Sequence, residues 1–207
     1  MAKSHLKLVI PKAVLGTINT PRRKPNAALR PREYLTEDEI ERLRKAAGGN
    51  RHGHRDSTMI LIAFRHGLRA SELVTLRWDA IDLDHGNVYC TRRKNGAPSV
   101  HPLSGVELRA LRRVKRESPV APFVFTSERG TPFTVSGFRR MIKRLGVKAG
   151  FTFGLHPHML RHATGFKLAN DGHDTRAIQH YLGHKNITHT VHYTALRSDR
   201  FKGFWVD

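Results

Sequence analysis

His156-Pro157-His158-Met159-Leu160-Arg161-His162 opens the stretch on which the reading of this chain turns. Pro157 suits the first turn of a helix, where its missing N–H leaves no bond unmade. Met159, Ala163, Phe166 and Ala169 follow at helical spacing and give one apolar face. His158, Arg161 and His162 fall on a polar side. Gly172 ends this helix, Asp174 can cap the next, and Gly183 ends that one.

Working outward toward the N-terminus, a helix is expected from about Val135 to Leu145, and Phe123-Val124-Phe125 is a short apolar run. Val106 to Val114 reads as helical with Leu108 and Leu111 inward. Before it the period changes from 3.6 to 2. Asn87 to Arg92 reads as a strand, Lys94-Asn95-Gly96-Ala97 as a turn, and Ser99-Val100-His101 as the return strand. Leu68 to Leu76 reads as a short helix that buries Leu73 and Leu76 and carries Arg69 and Glu72, three apart, on another face. A longer helix starts near Asp56 and carries Ile60, Leu61, Ala63 and Phe64 up to Gly67. Thr36-Glu37-Asp38-Glu39 is a capping box for a helix with Ile40, Leu43 and Ala47 inward. Gly48-Gly49-Asn50 is expected to end it through a left-handed glycine. The fold class expected is α+β, mostly helical with one small antiparallel sheet.

Composition narrows the function. The 207 residues include 37 Lys and Arg against 17 Asp and Glu, a net charge of +20. The isoelectric point near 11.1 is the electrostatic footprint of a nucleic-acid binder. A mean hydropathy of −0.48 and the absence of a long apolar run exclude an integral helical membrane protein. Lys7, Pro11 and Lys12 interrupt the N-terminal apolar stretch, so no secretory signal is read. A lone cysteine, Cys90, excludes an internal disulfide framework and fits a reducing compartment. Residues 1–33 are rich in Lys, Arg and Pro and read as a basic arm able to track phosphates, with Arg22, Arg23 and Lys24 as contacts. The folded part is expected over 34–207.

Singly, the chemical candidates are weak. Arg69 could be a solvated charge paired with Glu72, and Lys94 a turn residue in water. Tyr193 could be a half-buried aromatic whose hydroxyl finds a partner. His158 and His162, four apart on a helix, with His184, His189 and His192, could build a zinc site, although neither H-E-x-x-H nor a nearby cysteine supports it. No Walker-type glycine loop and no paired carboxylate site of the two-metal kind is present.

Together they resemble something specific. Gly67-Leu68-Arg69-Ala70-Ser71-Glu72-Leu73, His158-Met159-Leu160-Arg161-His162, Leu182-Gly183-His184 and Tyr193, nine residues after His184, follow the order of the tyrosine recombinases, the phage integrase family. Lys94, eight before Pro102, matches that family's hairpin lysine, which closes on a segment like His101-Pro102-Leu103. The likeness spans about residues 34–205. The narrower likeness, through residues 156–162, Leu168-Ala169-Asn170 and Tyr181-Leu182-Gly183-His184, is to recombinases that invert fimbrial promoter switches.

The resemblance implies Tyr193 as nucleophile, forming a 3′-phosphotyrosyl bond, with Arg69, Arg161 and His184 on the phosphate. Lys94 would protonate the leaving 5′ oxygen, His158 would act as acid or base, and Glu72 would orient Arg69. Arg92 and Arg93 would contact DNA beside Lys94. It implies double-stranded DNA as partner, a homo-tetramer in the synaptic complex, accessory DNA-bending proteins, a bacterial cytoplasmic setting, and neither metal nor cofactor. Larger members carry a helical DNA-binding domain ahead of the catalytic one, for which residues 1–34 are too few. Weak intrinsic site selectivity is expected on that ground. Phe201, Phe204 and Trp205 could dock on a neighbouring protomer or on their own domain. The alternatives of other classes are a catalytically silent DNA-binding regulator and a type IB topoisomerase.

Overall fold

The computed structural model describes residues 32–92, 97–118 and 120–195. Their elements run α1 (Glu37–Gly48), α2 (Gly53–Arg65), α3 (Ala70–Val74), a single 3-10 turn (Trp78–Ala80), β1 (Ile81–Asp82), β2 (Asn87–Cys90) and β3 (Ser99–Pro102). After the sheet come α4 (Gly105–Glu117), α5 (Val135–Lys148), α6 (His158–Asn170), α7 (Thr175–Leu182) and α8 (Thr188–Ala195). The expected α+β class, mostly helical with one small antiparallel sheet, is what the chain adopts.

The cap at Thr36 forms as read. Its hydroxyl accepts from the Glu39 N–H at 3.3 Å while the Glu39 carboxylate accepts from the Thr36 N–H at 2.9 Å. The far end of α1 differs from expectation, because Gly49 has φ −79 and uses no left-handed cap. Glycine serves the next corner through size instead. A Cβ on Gly53 would lie 2.2 Å from the Gly48 carbonyl oxygen, so only glycine lets α2 start against α1. Every residue from Met59 to Phe64 is buried, because α2 packs against α1, α4 and α6.

The helix expected over 68–76 shrinks to α3. Gly67 turns the chain at φ 57, a conformation costly for other residues. Arg69 is then extended (φ −68, ψ 154) and caps α3 instead of lying within it. Glu72 closes the cap, accepting from the Arg69 N–H at 2.9 Å.

The sheet order is β1-β2-β3, all antiparallel, with Val88 opposite His101 and Cys90 opposite Ser99. Alternation buries Val88, Cys90 and His101 and exposes Tyr89 and Val100. Ladder pairing ends at Cys90, two residues short of the expected strand end. β1 was not foreseen, since two residues are too few to show a period.

Most buried side chains form one cluster running from α1 through α6. A second cluster, Phe166, Ala169, Ile178, Leu182 and Tyr193, lies beneath α6, α7 and α8. Asp174 caps α7 as expected, and Gly183 ends it in the left-handed region (φ 64). Among the described residues no helix is long and apolar enough to cross a membrane. Residues 1–31 of the basic arm, residues 93–96 with Arg93 and Lys94, and the tail residues Phe201, Phe204 and Trp205 lie outside the described residues.

Candidate active site

The site grows from one buried guanidinium. Arg161, on the first turn of α6, is 1% exposed. It donates through Nη1 to the Gly67 carbonyl at 2.5 Å and through Nη2 to the Leu182 carbonyl at 2.7 Å. The α2–α3 turn and the end of α7 are thereby tied to α6. A guanidinium has five N–H groups, and among the described residues these two bonds engage two of them. Burial first, then Arg69 and Arg92, push its pKa down to about 9, still protonated at neutral pH.

Arg69 reaches the same region from the start of α3. Its Nη1 donates to Glu72 Oε1 at 2.7 Å, with Arg69 a quarter exposed and Glu72 buried. Burial would raise the Glu72 pKa, but the bonds from Arg69 and the charges of Arg69 and Arg92 hold it below the ordinary carboxylate value. Glu72 therefore pairs with Arg69 as an anion.

His184 follows α7. Its Nδ1 pairs with the Thr190 hydroxyl at 2.9 Å, which fixes the ring and leaves Nε2 for other partners. Burial, Arg161 and Arg69 lower its pKa to about 3, so the ring is neutral. His158 starts α6, and desolvation first, then Arg161, His156 and Arg69, lower its pKa to about 4. Tyr193 comes from α8 and is 2% exposed. Burial pushes its phenol up to about 12, against the opposing pull of Arg161 and Arg69. Arg69, Glu72, His158, Arg161, His184 and Tyr193 are thus gathered by α3, α6, α7 and α8 into one electrostatically coupled group.

Arg92 must be corrected. It was expected on the DNA side of the hairpin, but its side chain is fully buried. Nη1 lies 3.4 Å from Glu72 Oε2, and Nη2 donates to the carbonyls of His66 (3.2 Å) and Tyr181. A Cβ at Gly183 would lie 2.6 Å from Arg92 Cγ, so the glycine after Leu182 makes room for it. Arg92 is a structural cation that shares Glu72 with Arg69.

Sequence reading also missed a use for His162, whose Nδ1 lies 2.9 Å from the Tyr193 hydroxyl. A signal was present three residues on. Gly165 sits mid-helix, where glycine is unfavourable by roughly 1 kcal/mol against alanine, so something must need the space. The Tyr193 ring fills it: a Cβ at Gly165 would come within 2.5 Å of that ring.

For metals, His158 and His162 meet edge to face at 4.5 Å, as do His184 and His189 at 6.0 Å. Among the described residues these pairs do not join into one ligand set. His66, Cys90 and His101 do converge, with ligand atoms within 4.8 Å of one another. Protein partners occupy both rings. His66 Nε2 is 2.8 Å from Glu107, the two Nδ1 atoms are 3.2 Å apart, and His101 Nε2 is 2.9 Å from the Ser99 hydroxyl. This buried polar chain links α2, β3 and α4 behind the site.

The sequence profile of the phage integrase family matches residues 33–200. The chain belongs to the phage integrase family. Type 1 fimbriae regulatory protein FimB of Escherichia coli (strain K12) is 44% identical over 187 residues, covering 88% of this chain and 94% of that protein. Type 1 fimbriae regulatory protein FimE of the same strain is 43% identical, covering 84% and 91%. Among solved structures, XerA recombinase superposes with a TM-score of 0.71 at 28% identity, covering 83% of this chain and 63% of that one. Membership makes the chain a tyrosine-type site-specific DNA recombinase, with the likeness to fimbrial relatives that the motifs implied.

Proposed function

We propose that this recombinase inverts or moves a DNA segment by cutting and rejoining strands through a 3′-phosphotyrosyl intermediate. The observation that carries the reading is Arg161, pinned by two carbonyls beside Arg69, His184 and Tyr193. Fixed donors of this kind stabilise the charge that builds on a phosphate in the transition state. Arg69 and Arg161 hold the non-bridging oxygens with planar donors that stay charged. His184 adds a third donor through Nε2, since its Nδ1 is bound to Thr190.

The Tyr193 oxygen attacks phosphorus as its phenol proton passes to His158 acting as base, the bond to the 5′ oxygen breaks, and the leaving oxygen takes a proton from Lys94. His158, neutral at physiological pH, relays protons as acid or base. The phosphotyrosyl bond conserves the energy of the broken linkage, so rejoining needs no nucleotide. Arg22, Arg23, Lys24 and Arg93 contact phosphates. Four subunits assemble on two duplexes, helped by DNA-bending proteins, in a bacterial cytoplasm.

The test is a covalent trap. The protein is incubated with nicked suicide DNA from its own gene neighbourhood and quenched in detergent. A DNA-linked protein that disappears in Tyr193→Phe and falls sharply in Arg161→Ala is expected. An adduct that survives Tyr193→Phe places the nucleophile elsewhere.

A further inference from the structure

We infer that His162 is a catalytic residue of this site, the acceptor that holds and aims the nucleophilic hydroxyl. The inference rests on the reading of Tyr193 as nucleophile. Its starting point is the 2.9 Å contact from His162 Nδ1 to the Tyr193 oxygen. In this assignment the phenol O–H donates a hydrogen bond to Nδ1, and the imidazole carries its own proton on Nε2.

A second, independent feature points the same way. Three residues along α6, Gly165 provides the hollow in which the Tyr193 ring lies. Phe166 meets the ring edge-on at 5.1 Å, and His184 lies nearly parallel to it at 6.3 Å. One face of α6 therefore holds the ring by shape and the hydroxyl by direction. The same helix carries Arg161, so nucleophile and phosphate clamp share a rigid scaffold.

A buried tyrosine hydroxyl finds a partner in any protein, so the test must separate aiming from filling. Asparagine places an acceptor where Nδ1 stands, whereas glutamine places it at the Nε2 position. Cleavage of suicide DNA is measured under single turnover for His162→Ala, His162→Asn and His162→Gln, with DNA affinity and melting temperature measured alongside. The expected result is a loss on the order of 10²-fold in His162→Ala, the cost of a misplaced reacting atom. DNA affinity stays parental, His162→Asn recovers most of the rate, and His162→Gln does not. A parental rate in His162→Ala overturns the inference, as does His162→Asn no better than His162→Gln.

Should the variants unfold, nitrogen NMR of the unaltered protein decides. A His162 ring protonated at Nε2, whose Nδ1 signal moves in Tyr193→Phe, supports the inference, and a proton on Nδ1 overturns it. Failure of the underlying reading looks different: the unaltered protein then forms no adduct, or Tyr193→Phe still does.

Discussion

Replacing Arg161 removes support at two depths. Arg161→Ala leaves the carbonyls of Gly67 and Leu182 without their donors, at about 1–3 kcal/mol for each buried group. Arg161→Lys keeps a charge but cannot bridge both carbonyls and still offer a fork to phosphate. Cleavage in the trap assay should fall about 10²–10³-fold in Arg161→Lys. Urea unfolding should show a clear loss of stability in Arg161→Ala. Gly165→Ala asks a different question. Alanine favours a helix by roughly 1 kcal/mol, yet its Cβ would sit 2.5 Å from the Tyr193 ring. The ring must move, so single-turnover cleavage should drop on the order of 10²-fold while far-ultraviolet dichroism stays unchanged.

At the scale of elements, Glu72 ties the cap of α3 to the buried Arg92 that follows β2. Its folded pKa lies below the ordinary 4.5, since Arg69 and Arg92 outweigh burial. A depressed carboxylate contributes stability in full above the unfolded pKa, and loses it as pH falls through the folded one. Glu72→Gln should therefore lower the urea midpoint near neutral pH and flatten its decline below about pH 4.5. An unchanged pH profile would mean the carboxylate gains nothing from the fold. β2 offers a second check. Cys90 is 3% exposed, and burial pushes its thiol up to about 11 despite Arg92. A disulfide reagent at neutral pH should leave it untouched until denaturant is added. Rapid labelling of the native protein would contradict the inward placement of β2.

For the whole molecule, a net charge of +20 makes DNA affinity an electrostatic matter first. Each neutralised phosphate contributes a slope of about −0.9 to log affinity against log salt. Alanine at Arg22, Arg23 and Lys24 together should reduce that slope by about 3. Arg92→Ala should act otherwise, because its charge is spent on Glu72 and two carbonyls. It should destabilise the fold and leave the slope as it was. Titrations at several salt concentrations, read beside melting curves, separate the two behaviours.

By itself the sequence determined what depends on neighbours a turn away. The capping box at Thr36, the inward face of α6, the cap at Asp174 and the stop at Gly183 all formed as read, because period and cap are local. The family resemblance carried by the motifs singled out Arg69, His158, Arg161, His184 and Tyr193, and four helices and their caps bring these residues into one region. Tertiary structure alone decided the direction of Arg92, since its acceptors His66 and Tyr181 stand 26 and 89 residues away. It alone paired His162 with a tyrosine 31 residues on, and gave β1 a strand to join. Burying a charge or aiming a hydroxyl depends on which distant groups arrive to satisfy it, and no local pattern records that arrival.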